Sequence, residues 1–206
     1  MSEFIAACDG GDAATVRRLL QAGADPNEVE QGFPAIFGAA QEGHANVVQV
    51  LVEAGASLEA TTPTTFTALL IAAQNGHADC VEALLKGGAN VSATGNKNQT
   101  ALFLAAMKGH TDCCRLLLHA GADQAVSVPG HGTALQAAES KGHAEAAALL
   151  RNPPAAEAAP PHQPAPHEGV PSAPEPQPES PLDAVLAMGF APVSYRHLTL
   201  PTIYSV

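Results

Sequence analysis

The feature that most constrains the fold of this 206-residue chain is a pattern that returns every 33 residues. The pair Gly-His begins at positions 43, 76, 109 and 142, and the pair Gly-Ala begins twelve residues later at 55, 88 and 121. An earlier unit, one residue shorter, carries Gly11-Asp12 and Gly23-Ala24. Self-similarity at a period of roughly 20–50 residues is typical of chains that stack one small structural unit. The period therefore predicts five stacked units in place of a single globular core.

Each unit predicts a pair of short helices. A threonine hydroxyl is placed to accept a hydrogen bond from a free amide at the start of the first helix, at Thr67, Thr100 and Thr133. Apolar residues on one face, such as Val81 and Leu84, indicate a second helix. The glycines of the Gly-His and Gly-Ala pairs suit left-handed residues that end these helices. One such helix pair cannot bury its apolar face alone, so stacking must supply the stability.

These motifs resemble the ankyrin repeat, whose units contain Thr-Pro-Leu-His, Ala-Ala, Gly-His, Leu-Leu and Gly-Ala-Asp. The resemblance covers residues 2–152, and the ankyrin-repeat domain is assigned to 1–152. It implies an all-α repeat solenoid, in which helix-turn-helix units are joined by β-hairpin-like loops. The sequence departs from the motif where alanine replaces its proline, and where its histidine is replaced by Phe37, Leu70, Phe103 or Gln136. These replacements are mostly apolar and are expected to alter packing more than fold.

Composition narrows the classes of function. The net charge of −11 argues against nucleic-acid binding, which requires a basic face. No segment has the charge pattern of a signal peptide or the length of a membrane span, so we expect no membrane contact. We therefore expect a monomeric protein in the cytoplasm, with the nucleus as the alternative. No grouping of nucleophile, base or phosphate-binding loop is present, and we expect neither enzymatic activity nor a cofactor.

Cysteine and histidine offer two further hypotheses. Cys80 and Cys113 occupy equivalent places one unit apart, and packed helices lie about 8–10 Å apart, too far for a disulfide. Core packing is therefore the favoured role of the cysteines. The same spacing separates the histidines of the Gly-His pairs too far for one zinc ion, and we expect no metal site. The ankyrin resemblance implies that these histidines form structural hydrogen bonds.

The composition changes after Asn152. Residues 153–180 contain ten prolines and no Lys, Arg, Ile, Leu or Phe, which predicts a disordered linker. Residues 181–191 resemble the first helix and Met-Gly-Phe loop of a ubiquitin-associated domain, and Met188, Gly189 and Phe190 would then contact ubiquitin. The alternative is an incidental amphipathic tail. Residues 192–206 resemble a translated sequencing adapter with one departure at Arg196, and we exclude them from the functional interpretation.

The resemblance also implies a binding surface made of hairpin tips and the ends of the first helices. The tip candidates are Glu28, Glu30, Gln31, Phe33, Thr64, Phe66, Asn96, Lys97 and Gln99. The first-helix candidates are Gln41, Glu42, Gln74, Asn75, Met107, Lys108, Ser140 and Lys141. This surface is acidic with two phenylalanines at its N-terminal end and basic at its C-terminal end, an order that favours a binding role over a merely solvated face.

Two classes of function follow from the sequence. The first is a non-catalytic scaffold or adaptor that binds a protein partner and, in the full-length protein, ubiquitin. The second is the N-terminal regulatory or substrate-recognition part of a larger enzyme of the ubiquitin pathway. The native sequence beyond about residue 191 would distinguish them. Partner identity does not follow from the fold, because one scaffold hosts unrelated partners.

Overall fold

The computed structural model of the chain describes residues 2–153, which form five consecutive helix pairs. The first helices of the pairs are α1 (Glu3–Asp9), α3 (Ala35–Glu42), α5 (Ala68–Asn75), α7 (Ala101–Lys108) and α9 (Ala134–Lys141). The second helices are α2 (Ala13–Gln21), α4 (Ala45–Glu53), α6 (Ala78–Lys86), α8 (Thr111–His119) and α10 (Ala144–Arg151). An all-α repeat solenoid is therefore confirmed.

The helix ends follow from local chemistry. The side chains of Thr67, Thr100 and Thr133 accept hydrogen bonds from backbone amides three residues later, as the sequence predicts. The first and shorter unit uses other caps, since Ser2 begins α1 and Asp12 begins α2. The glycines that end α3, α5, α7 and α9 have φ between +78° and +83°. Short helices that begin and end on such signals need tertiary packing for most of their stability.

The helices form two layers. Each first helix packs against the first helices of neighbouring units, and each second helix packs against other second helices. Alanine pairs such as Ala39-Ala40 and Ala72-Ala73 are completely buried in the first layer. Their small side chains allow the helices to approach closely, while Val, Leu and Cys fill the space towards the second layer. The result is one continuous core through all five units.

The connections between units contain the predicted hairpin-like loops. The first is a true hairpin, in which β1 (Val29–Glu30) pairs antiparallel with β2 (Phe33–Pro34). Gln31 and Gly32 both have positive φ between the strands, which is the geometry of a type I′ turn. The third and fourth connections each contain a single antiparallel bridge, Thr94 with Thr100 and Val128 with Gly132.

The second connection is held by a side chain in place of strand pairing. The Thr62 hydroxyl accepts a hydrogen bond from the backbone N–H of Phe66, and the Thr62 backbone N–H donates to the Phe66 carbonyl. The predicted linker beyond Pro153, the ubiquitin-associated-like segment and the adapter-like tail lie outside the described residues. Every predicted binding residue that the structure describes lies in the first-helix layer or in a connection between units.

Candidate binding surface

The ends of the first helices are joined by a ladder of histidine hydrogen bonds. The Nε2 atom of each Gly-His histidine lies 2.9–3.1 Å from a backbone carbonyl oxygen of the preceding unit. The pairs are His44 with Asp9, His77 with Gln41, His110 with Gln74, and His143 with Met107. A carbonyl only accepts, so each Nε2 carries the proton and donates. The ladder holds five helix ends in register.

The glycine of each Gly-His pair makes room for the histidine of the next unit. A β-carbon added to Gly76 would lie 2.5 Å from the His110 Nδ1 atom, and one added to Gly43 would lie 2.7 Å from the His77 Nδ1 atom. Gly142, which ends α9, has nothing within 4 Å of such a β-carbon. Glycine is therefore required inside the stack for two reasons, its positive φ and this close approach of an imidazole ring.

The ladder bears on the metal hypothesis. Every ladder histidine uses Nε2 to donate to a carbonyl, so that nitrogen is not available as a ligand. Within residues 2–153, no group of three or more His, Cys, Asp or Glu side chains is placed to hold a metal ion. The four ladder histidines act as links between units.

The structure places the predicted binding residues along one layer and its hairpins. The side chains that are exposed are Gln31, Phe33, Gln41, Glu42, Thr64, Asn75, Asn96, Lys97, Lys108, Ser140 and Lys141. Those that are half-buried are Glu28, Glu30, Phe66, Gln74, Gln99 and Met107. The backbone carbonyls of Gln41, Gln74 and Met107 accept the histidine hydrogen bonds. The backbone is therefore fixed at these positions, and the side chains take no part in the ladder. We call this surface the first-helix face.

Glu30 and Phe66 are among the predicted residues that already make contacts inside the molecule. The Glu30 carboxylate accepts a hydrogen bond from the Ser2 backbone N–H at 3.1 Å, which ties the first hairpin to the start of α1. Phe66 packs against the third connection, because a β-carbon on Gly95 would lie 3.1 Å from the Phe66 ring. Phe33 differs from Phe66, since it is 47% exposed. Of the two phenylalanines, Phe33 offers the larger free surface.

A pocket of about 400 Å³ opens at the N-terminal end of the first-helix face. Ile5, Pro34 and Phe37 are the buried part of its lining, and Asp9, Glu30, Phe33 and Glu42 surround them. The Phe33 and Phe37 rings are 5.7 Å apart and inclined at 46°, a favourable geometry for an aromatic pair. We call this the N-terminal pocket. It combines an aromatic wall with three carboxylates.

Gly38 contributes to the pocket by the absence of a side chain on α3. Its counterparts in α5 and α7 are the larger residues Ile71 and Leu104. A β-carbon on Gly38 would collide with the Asp9 carboxylate, so the missing side chain leaves room for that group over α3. One glycine thus turns part of the packed layer into a cavity with an acidic wall.

Burial and neighbouring charges raise the pKa of Asp9 above its ordinary value. Burial is the larger cause, and the negative charges of Glu42 and Glu30 add to it, while His44 opposes them. Among residues 2–153, no lysine or arginine forms an ion pair with Asp9 or Glu42. Glu42 accepts only a hydrogen bond from its neighbour Gln41. The N-terminal pocket is therefore acidic at Asp9 and Glu42, whereas a hydrogen bond with the N-terminal amine lowers the pKa of Glu30, its third carboxyl.

Sequence reasoning missed Asp9, Ile5 and Phe37 as parts of this site. Asp9 is the counterpart of Gln41 and Gln74, since its carbonyl takes part in the same ladder. The first unit is one residue shorter, so counting back 33 positions from Gln41 reaches Cys8 and not Asp9. Alignment on Gly11 instead of on a fixed period would have found it. Ile5 and Phe37 could not be recognised as site residues from the sequence, because they match the apolar pattern of the core.

The C-terminal end of the first-helix face is basic and exposed. Lys97 lies at the tip of the third connection with φ of +60°, and Lys108 and Lys141 are the last residues of α7 and α9. Within the described part of the chain, the ion pairs at 4 Å or less involve other cations, namely Arg18, Lys86, Arg115 and Arg151. The lysines predicted at this end of the face are therefore exposed.

The four cysteines are free and completely buried. Burial is the main cause that raises the pKa of the thiols from 9.0, to about 12 for Cys8 and Cys114 and to about 11 for Cys80 and Cys113. A thiolate is the nucleophilic form, and these groups remain protonated well above neutral pH. The cysteines pack in the core of the stack.

We expect the native chain to react with the thiol reagent DTNB only as fast as it unfolds. The reaction needs a thiol that is both accessible and ionised, and in the folded chain the cysteines are buried and protonated. Absorbance at neutral pH, with and without denaturant, measures the rates. The exposed Ser92→Cys variant serves as the control and should add one thiol that reacts at once. Rapid labelling of Cys80 or Cys113 in the native chain would contradict the burial.

Five helix pairs, stacked in two layers and joined by hairpins, define a helical repeat protein with an exposed first-helix face. A family model described as "Ankyrin repeats (3 copies)" matches residues 4–95 and 89–159. The chain belongs to the ankyrin-repeat family. A search of curated proteins finds no match. Ankyrin repeats are generally modules for protein–protein interaction. Among residues 2–153, no helix combines the length and apolar character needed to cross a bilayer.

Proposed function

We propose that the chain is a non-catalytic scaffold or adaptor that binds a protein partner along its first-helix face. The observation that carries this proposal is the set of exposed side chains at the ends of successive first helices, Glu42, Asn75, Lys108 and Lys141. None of these side chains contributes to the core. The histidine ladder fixes the backbone that bears them, and a rigid backbone reduces the entropy lost when a partner binds.

The partner is an extended or helical segment with an uneven charge. Basic or apolar residues of the partner face the first three units, where Glu28, Glu30 and Glu42 lie. Acidic residues of the partner face the last two units, where Lys97, Lys108 and Lys141 lie. Complementary charges at the rim of an interface act mainly on the rate of encounter and on orientation. Phe33, the most exposed aromatic residue of the face, anchors the N-terminal end, and Phe66 adds a half-buried surface beside it.

A ubiquitin-linked role, as an adaptor or as part of a larger enzyme, depends on Met188, Gly189 and Phe190. These residues lie outside the described part of the chain, and the proposal does not include them. Residues 1–152 are proposed as the binding unit, because the family match covers most of this range. The absence of a catalytic role and a location in the cytoplasm or nucleus belong to the same proposal.

The test begins with affinity capture using the full chain, followed by surface plasmon resonance with the captured partner. Charge reversal by Lys108→Glu with Lys141→Glu should slow association by about tenfold at low salt and reduce its salt dependence. Lys86→Glu on α6 is the matched control, because Lys86 is an exposed lysine in the second-helix layer. Slower association for the control alone would place the interface on the second helices and contradict the proposal.

A further inference from the structure

We propose that Asn75 is a site of spontaneous deamidation, and that the link between the second and third units controls its rate. No partner takes part, so the reaction goes beyond the proposed function. Asn75 and Gly76 form the one Asn-Gly pair of the chain. In the other Gly-His units the residue before the glycine is Glu42, Lys108 or Lys141, none of which carries a side-chain amide.

The reaction needs only these two residues and water. The backbone nitrogen of Gly76 bonds to the side-chain carbonyl carbon Cγ of Asn75 and gives up its proton. The bond between Cγ and Nδ2 breaks, and the amide group takes up this proton and leaves as ammonia, so a succinimide ring remains. Water then opens the ring at either carbonyl, which gives aspartate or isoaspartate at position 75. Glycine favours the ring closure, because it adds no β-carbon beside the attacking nitrogen and adopts many backbone conformations.

The amide that leaves is part of the link between the second and third units. The Gln41 backbone carbonyl accepts a hydrogen bond from the His77 Nε2 atom at 2.9 Å and another from the Asn75 Nδ2 atom at 3.0 Å. Two donors of the third unit therefore meet at one oxygen of the second unit. Deamidation removes one of them.

The folded end of α5 restrains both reacting groups. Asn75 is the last residue of α5, and the Gly76 N–H donates to the Ala72 carbonyl. The Asn75 side chain is exposed to water, yet its amide is held by the Gln41 carbonyl. Ring closure requires both hydrogen bonds to break. It therefore takes place in molecules in which the end of α5 has opened locally, which requires less free energy than global unfolding.

Aspartate at position 75 weakens the link for two reasons. A carboxylate only accepts hydrogen bonds, so it repels the Gln41 carbonyl that the amide group contacts. Its charge also lies at the C-terminal end of α5, where the helix dipole disfavours an anion. The Asn75→Asp variant should therefore melt about 2–4 °C lower than the original chain. Asn96→Asp makes the same change of charge at an exposed loop position and serves as the control, with an expected shift below about 1 °C.

The decisive experiment measures the rate of deamidation in the full chain at neutral pH. Mass spectrometry of proteolytic peptides detects the exchange of the amide for a carboxyl group at Asn75. A capped peptide of residues 72–78 is too short to form a stable helix and gives the rate without the fold. Asn75 in the native chain should react at least about tenfold more slowly than the peptide. In denaturant, the chain and the peptide should react at the same rate.

Histidine substitutions then test the link itself. His77→Ala removes the other donor to the Gln41 carbonyl and should speed deamidation of Asn75 several-fold. Its rate is divided by that of a peptide with the same substitution, which removes any direct effect of the imidazole on the chemistry. His143→Ala is the matched control, because it breaks the corresponding link between the fourth and fifth units and should leave the rate unchanged.

Two results would overturn the inference. Equal rates for the native chain and the peptide would show that the fold does not control the reaction, and this comparison needs no variant. Equal acceleration by His77→Ala and His143→Ala would show that global unfolding limits the rate instead of the local link. Neither result bears on the binding face, which the Lys108 and Lys141 variants test separately.

Discussion

Replacing Phe103 with alanine is expected to lower the free energy of unfolding by about 3–5 kcal/mol, a large part of the stability of a domain of this size. Phe103 has no exposed surface, and its helix α7 packs between α5 and α9 in the first layer. The substitution leaves a cavity in the core of the fourth unit, on a helix that packs against the first helices on both sides. Urea unfolding followed by circular dichroism measures the loss.

Phe33→Ala is the matched control for this change, because it deletes the same ring from a position that is 47% exposed. Its expected cost is at most about 1 kcal/mol, from the lost contact with the Phe37 ring. Similar losses for both variants would show that the described burial of Phe103 is wrong. A lower m-value for Phe103→Ala, in contrast, would indicate that the units on either side unfold separately.

Replacing Gly76 with alanine is expected to destabilise the fold by about 2–4 kcal/mol. Gly76 has φ of +82°, which disfavours any residue with a β-carbon. The new methyl group would also displace the His110 ring and break its hydrogen bond to the Gln74 carbonyl. Denaturant unfolding gives the total effect, and the NMR signals of the imidazole report the broken link.

Gly142→Ala separates the two causes. Gly142 ends α9 with φ of +78°, yet nothing lies within 4 Å of an added β-carbon, because no sixth unit of this kind follows within the described residues. The expected loss is therefore the backbone penalty alone, about 1–2 kcal/mol. If Gly76→Ala cost no more than Gly142→Ala, the close contact with His110 would carry no energy and the proposed role of the ladder would be wrong.

The sequence by itself determined the repeat unit and its local structure. Thr67 and Thr100 begin helices through amides three residues away, and glycines end them through their own φ angle, so both signals act within one turn of the chain. The apolar pattern then specified which face each helix buries. It also predicted the line of exposed binding candidates, because residues just before each Gly-His must lie at corresponding helix ends.

Only the tertiary structure decided what lies between the units. His77 donates to Gln41, 36 positions away, and Glu30 accepts from Ser2, 28 positions away. The N-terminal pocket depends on Gly38 and Asp9, which belong to different units, and a repeating pattern does not say which side chains of two units meet. Which side chains of two units meet depends on how neighbouring helices stack. It also depends on the first unit being one residue shorter and on Gly38 having no side chain in the second unit.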